Sequence, residues 1–260
     1  MLRHVISHLR RQDWAAVVIE LVVVVVGVFI GVQALNWNEN RETDQKAAVF
    51  TERLKGDLRE EAWGYQMQVG YYSQVLVNAK RAADALTGTA PLPDEALLIA
   101  AYRATQLNNY TRRRATYDEL TATGEIGLIR DAALRDLAMR VYTDPIFDQM
   151  VQEAKQSDYR KAFRMALPYD VQQALSNKCG DQVVPVGDYH GIEHVLDYPC
   201  STGLSPATIA ADDAVLKKDP RLLASLQLQI VNTETDLGYL TVYYKHDIWD
   251  PLRRLAQEKP

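Results

Sequence analysis

The 260-residue chain carries 34 acidic residues against 29 lysines and arginines, a net charge of −5 that excludes the basic footprint of a nucleic-acid-binding protein. At 47% hydrophobic and 24% charged residues it is too apolar for a disordered segment and long enough to bury a core of its own.

The chain opens with Leu2, Val5, Ile6 and Leu9 at the i, i+3, i+4, i+7 spacing of an amphipathic helix. Residues 1–13 are therefore expected to lie on the inner membrane surface, with Arg3 and Arg10 toward anionic headgroups. Docking of a cytoplasmic partner on the same apolar face is the alternative.

Residues 14–37 run from Trp14 to Trp37, and between those tryptophans almost every residue is apolar. Roughly twenty such residues, at about 1.5 Å each, cross a hydrocarbon core of ~30 Å, so one transmembrane helix is predicted here. Arg3, Arg10 and Arg11 outnumber Asp13 before the span, whereas Glu39, Glu42 and Asp44 outnumber Arg41 and Lys46 after it. Positively charged flanks stay in the cytoplasm. The expected topology is a single-pass signal anchor in a bacterial inner membrane, N-terminus cytoplasmic, with residues 38–260 in the periplasm. Val32, Gln33 and Ala34 loosely fit the rival reading of a cleaved signal peptide. Against it stand the length of the apolar run and Glu20 within it.

At about 100° per residue, Glu20, Gly27, Gly31 and Asn38 fall within about 20° of one line. Gly27 and Gly31 form a G-x-x-x-G pair that lets a second helix approach closely, and a carboxylate inside a bilayer prefers a neighbouring helix to lipid. The stripe reads as a packing face for a second copy or a partner membrane protein, with snorkelling of Glu20 toward the headgroups as the plainer account.

Beyond the span the helical pattern continues without a proline to Leu86. Leu58, Ala62, Tyr65, Val69, Tyr72, Leu76, Ala79, Ala83 and Leu86 alternate spacings of four and three, the seam of a bundle helix. Gly88, Pro91 and Pro93 mark a turn, after which Asp94 is placed to cap a helix through about Gln106. Gly124 is set to end a third helix, and Asp131 to cap a fourth bearing Leu134, Leu137, Ala138 and Val141. Pro145 is expected to open one helix reaching Leu167, and Pro168 a short one ending at Cys179. The texture of residues 178–204 changes to glycine, proline and short valine-rich pieces. Cys179 and Cys200 flank that stretch on the exported, oxidising side and allow one intramolecular connectivity, so a disulfide-closed loop is expected. From Asp219 and Pro220 a last long helix carries Leu223, Leu226, Ile230, Thr233, Leu237, Leu240, Tyr244 and Ile248, with a capped restart at Asp250 before Pro251. The expected fold is all-α: a transmembrane helix followed by an antiparallel helical bundle with one disulfide-closed loop.

Glu20, Gly27, Gly31, Gln33, Asn36, Trp37, Asn38 and Glu39, together with residues 116–120, Gly124, Leu128, Ile129 and Leu134, resemble a family of uncharacterised bacterial single-span proteins, a domain of unknown function. The resemblance covers about a quarter of the chain and implies an anchored helical domain without assigned activity. Ile19 departs from the pattern, which has glycine there, and the cysteine loop looks like an addition.

Three clusters invite chemistry. His190, Glu193 and His194 match H-x-x-E-H, in which two imidazoles on one helix face hold zinc and the glutamate acts as base. The surrounding glycines and proline argue for a loop instead, leaving a weak surface metal site with Asp188, or plain loop histidines. Arg112, Arg113 and Arg114 offer planar forks for a carboxylate or phosphate; the alternative is a solvated face on which Arg114 pairs with Asp118. Tyr65, Tyr72, Tyr239, Tyr243 and Tyr244 line either a pocket or an ordinary helix seam. No serine-histidine-aspartate order or phosphate-cradling loop is present, so neither a cofactor nor catalysis is expected. The functional expectation is a membrane-anchored scaffold or accessory subunit. A ligand-binding, sensor-like module is the alternative, and a zinc hydrolase a more distant one.

Overall fold

The computed structural model describes residues 14–257, with side chains from Val18 onward, so the amphipathic segment expected over 1–13 lies outside the described residues. Every regular element among them is helical. The chain divides into two compact units, Met1–Glu52 with Gly127–Arg130, and Arg53–Ile126 with Asp131–Pro260. Helix α1 (Trp14–Thr87) contributes residues to both.

In the first unit the apolar side chains from Val18 to Leu35 all face outward, and within the described residues this is the one helix long and apolar enough to cross a membrane. Its valines are poor helix formers in water, but in hydrocarbon no solvent competes for backbone N–H groups and a helix satisfies all of them internally. Past the apolar run the i, i+4 contacts become polar. Arg41 lies 5.8 Å over the Trp37 ring, and Asn38 Nδ2 donates to Glu42 Oε1 at 2.9 Å. Ala47, Phe50 and Ile129 are buried, and Arg130 pairs with Asp44.

The second unit is built on the remainder of α1. Leu58, Ala62, Tyr65, Tyr72, Ala79 and Ala83 are buried as the heptad spacing predicts, but so are Trp63, Met67, Tyr71, Val75 and Ala82 on other faces. The helix is thus the centre of the domain rather than one strip of a two-helix seam. Glycine makes that crowding feasible. A Cβ added at Gly64 would sit 2.2 Å from the Tyr110 ring, and one at Gly70 2.4 Å from Ile192 Cγ2.

Around α1 stand α2 (Asp94–Arg103), α3 (Ala115–Ala122), α4 (Ala132–Thr143), α5 (Ile146–Gln156), α6 (Asp158–Ala166), α7 (Tyr169–Cys179), α8 (Pro206–Lys218), α9 (Pro220–Gly238) and α10 (Asp250–Gln257). The first and last long helices run antiparallel: Tyr65 meets Leu240 and Trp249, whereas Lys80, further along α1, pairs with the earlier Glu234. One apolar core joins Ala79 and Ala82 of α1 to Leu97 and Leu98 of α2, Tyr159 and Phe163 of α6, Leu175 of α7 and Leu222 and Leu226 of α9.

Several local expectations need correction. Asp94 does not cap α2: Pro93 occupies the cap position, and Asp94 and Glu95 stand in the first turn, where carboxylates suit the helix dipole. The helix predicted from Pro145 to Leu167 is two helices. Ser157 leaves helical geometry, accepts from the Arg160 N–H at 3.2 Å as the cap of α6, and bonds Gln229 of α9. Helix α8, capped by Ser205, has no counterpart in the sequence reading. Asp250 is not a cap either. Its backbone is helical, and α9 reaches it through π-helical turns at Tyr239–Tyr243 and Lys245–Trp249. Asp131 and Asp219 do cap α4 and α9, and Gly124, at φ 72°, follows α3 in the left-handed conformation.

Candidate functional site

In the first unit, Glu20, Gly27, Gly31 and Asn38 all lie on α1, where helical periodicity brings them into one file. A Cβ added at Gly27 or Gly31 would meet no atom within 4 Å, so the notch between these glycines is open.

The arginine run lies in the second unit, just before α3, in a stretch without regular structure. Each guanidinium has a carboxylate of this chain. Arg112 Nε donates to Glu61 Oε2 at 3.1 Å, Arg113 Nε to Glu60 at 2.7 Å, and Arg114 to Asp118 at 2.9 Å. The first pair is buried, with side chains 7% and 1% exposed; the other two are at the surface. Arg112 also donates to the Val141 carbonyl at 2.6 Å and lies over the rings of Tyr142 and Phe147, tying α1 to α4 and α5. Burial pushes the Glu61 carboxyl upward, and Arg112, the Arg113 N–H and the Tyr110 hydroxyl act against that shift. Electrostatically the run is a set of closed pairs.

Cys179 at the end of α7 is bonded to Cys200, with Cα atoms 5.5 Å apart. Buried Arg103 organises both ends of the loop. It donates to the carbonyls of Cys179 at 3.2 Å and Tyr198 at 3.0 Å, and lies 4.5 Å over the Tyr198 ring. Glu95, on the same helix, accepts from Ser201 and from both the N–H and hydroxyl of Thr202. Neither residue stands out in the sequence, because a charged residue in a helix reads as solvated until its partners about a hundred positions away are known.

Within that loop Gly191–His194 forms a 3₁₀ turn, not the α-helix that would set His190 and His194 on one face. Ile192 is buried against Gly70, which turns His190, Glu193 and His194 outward. Among the described residues no group of three or more histidines, cysteines and carboxylates is placed to hold a metal ion.

The tyrosines do not share one pocket. Tyr65 is buried, stacked on Trp249 at 5.0 Å and bonded through its hydroxyl to the Leu240 carbonyl at 2.7 Å. Tyr72 borders a separate small hollow with Asp236, and Tyr239 and Tyr243 are exposed. Two larger grooves flank α1. One, of about 450 Å³, is lined by Tyr65, Val69, Ile192, Leu240 and Trp249. The other, of about 500 Å³, lies between Trp63, Met67 and Tyr71 of α1, residues 108–113 and the first part of the cysteine loop.

Comparison with family models, curated proteins and solved structures finds no match to this chain.

Proposed function

We propose that this chain is a single-pass protein of a bacterial inner membrane whose helical domain works in the periplasm through protein contacts, as a scaffold or accessory subunit without catalytic chemistry. The observation that carries the reading is the bare apolar surface near the start of α1, where large side chains from Val18 to Leu35 stand about half or more exposed while the second unit packs a tight core. Burying one aliphatic side chain is worth about 1.5–3 kcal/mol, so a run of this length calls for an apolar surrounding, and lipid supplies it over the whole circumference. Arg3, Arg10 and Arg11 favour a cytoplasmic N-terminus, and a disulfide suits an oxidising compartment on the other side. The resemblance to anchored helical proteins supports the same architecture.

The stripe of Glu20, Gly27, Gly31 and Asn38 gives the membrane segment a face for a second copy or a partner's helix. The grooves beside α1 favour a second reading, a domain that binds a ligand. Purification in mild detergent from native membranes separates the two: a stoichiometric protein partner or a defined homo-oligomer is expected, and a monomer that carries no protein would contradict the scaffold.

A further inference from the structure

The small hollow bordered by Tyr72 and Asp236 holds two carboxylates without a counter-cation. Asp236 of α9 and Glu153 of α5 both line it, and neither has an ion pair among the described residues; Asp158, the third acid on its wall, is paired with Lys161 at 3.3 Å. The two lie close enough that the charge of Glu153 adds to burial in raising the Asp236 carboxyl to about 6. A third group is unmatched. Thr233, on the same wall, is 9% exposed and its hydroxyl has no hydrogen-bond partner among the described residues, whereas the hydroxyls of Thr235 and Thr241 bond back to carbonyls one turn earlier. The Tyr72 hydroxyl is sealed inside the core, but the Thr233 oxygen keeps access to the space it lines.

These three acceptors call for a cation that carries several donors. Two anions sharing a part-buried hollow repel each other, and a bound cation removes that repulsion. A bare metal ion fits poorly, because among the described residues no three carboxylates, histidines or cysteines converge to hold one. A primary ammonium fits. It is compact, as a hollow of about 70 Å³ requires, and has three N–H donors for the two carboxylates and the hydroxyl. The rest of the wall suits an aliphatic stem: Val75 and Met150 give it a buried apolar surface, and Leu228, 55% exposed, gains from being covered.

We infer that this hollow binds the head of a primary alkylamine, its ammonium held by Asp236, Glu153 and the Thr233 hydroxyl and its stem laid along Val75, Met150 and Leu228. The ligand accounts for a carboxylate whose burial works against the fold at neutral pH. A bound amine ties α5 to α9 and gives the helical domain a ligand in addition to the protein contacts proposed above, on which the site does not depend.

The experiment titrates butylammonium into the full chain in nanodiscs of phosphatidylcholine, which carries no net charge, by calorimetry at about pH 7.5, with empty nanodiscs as the blank. One saturable site per chain is expected. Butyltrimethylammonium keeps the charge without the N–H donors and butanol lacks the charge, so each is expected to bind at least about tenfold more weakly. Asp236→Asn and Glu153→Gln should each weaken butylammonium about tenfold, and Thr233→Val by less, with circular dichroism spectra unchanged. Asp148→Asn, which removes an exposed acid of α5 outside the hollow, should leave the affinity as it is. Nα-acetyl-lysine methylamide separates two sources of the same head group: binding at least as tight as that of butylammonium points to a partner's lysine, weaker binding to a free amine, and either supports the ammonium site. No saturable binding of butylammonium, equal binding of butyltrimethylammonium, or undiminished binding to the Asp236→Asn, Glu153→Gln double variant would overturn the inference. Purification of the native chain without a protein partner would contradict the scaffold reading and leave the amine result standing.

Discussion

Arg112 meets Glu61 across 3.1 Å at the centre of the second unit, joining the segment before α3 to the helix around which the domain is built. A buried pair of this kind gains little over a hydrophobic replacement, yet removing one partner strands a charge in the interior. Arg112→Ala is therefore expected to destabilise the domain by about 3–5 kcal/mol in chemical unfolding. The double variant Arg112→Met with Glu61→Leu should recover most of that loss. If the two single changes simply add in the double variant, the pair is not coupled.

Arg103 makes an independent prediction for the cysteine loop. Its bonds to the Cys179 and Tyr198 carbonyls hold the loop ends whether or not the sulfurs are joined. Replacing both cysteines with alanine is expected to cost about 3 kcal/mol in the chain-entropy account. Arg103→Ala should leave the disulfide formed while speeding amide exchange around Val195 and Leu196, which are buried in the wild type. Slow exchange there in Arg103→Ala would show that the disulfide alone fixes the loop.

Asp236 sets a pH dependence. Burial first, and the charge of Glu153 second, raise its carboxyl from 3.8 to about 6. The folded state thus holds this proton more tightly than the unfolded one, so the stabilisation is fully present below about pH 4 and is lost as pH rises through about 6. Asp236→Asn should stabilise the domain by roughly 1 kcal/mol at pH 7.5 once solvent screening of this partly exposed group is allowed for. The advantage should vanish below pH 4. Melting curves across that range test the sign, and an unchanged difference at every pH would show that Asp236 does not titrate differently on folding.

Much of the helical skeleton is legible because its signals are local. Asp131, Asp219 and Gly124 act at their own helix ends, and the heptad spacing of Leu226, Thr233, Leu237 and Leu240 marks a face that is buried. The break at Ser157 is not legible. No proline or glycine marks it, and it depends in part on Gln229, 72 residues away. Helix α8 hides for a related reason: Asp212 and Asp213, which a hydrophobic pattern assigns to solvent, are both 5% exposed. The arginine run shows the same limit at the candidate site. Three adjacent cations look like an anion site until the fold brings Glu60 and Glu61 beside them.

In the apolar stretch of α1, the open notch at Gly27 and Gly31 predicts association through one face. Gly27→Leu with Gly31→Leu should reduce crosslinking of the chain to itself or to a partner's helix in native membranes, because the added side chains hold a neighbour away. Val28→Leu, on another face of the same helix, should not. An undiminished yield of the same crosslinked species from the double glycine variant would reduce the segment to an anchor.

In the proposed topology α1 anchors a domain on the far side of the membrane from the N-terminus. The most direct measurement is a pair of reporters fused in turn after Pro260, one active only in the periplasm and one only in the cytoplasm. The periplasmic reporter should be active and the cytoplasmic one silent. Activity of the cytoplasmic reporter alone would contradict the topology, and with it the oxidising compartment invoked for Cys179 and Cys200.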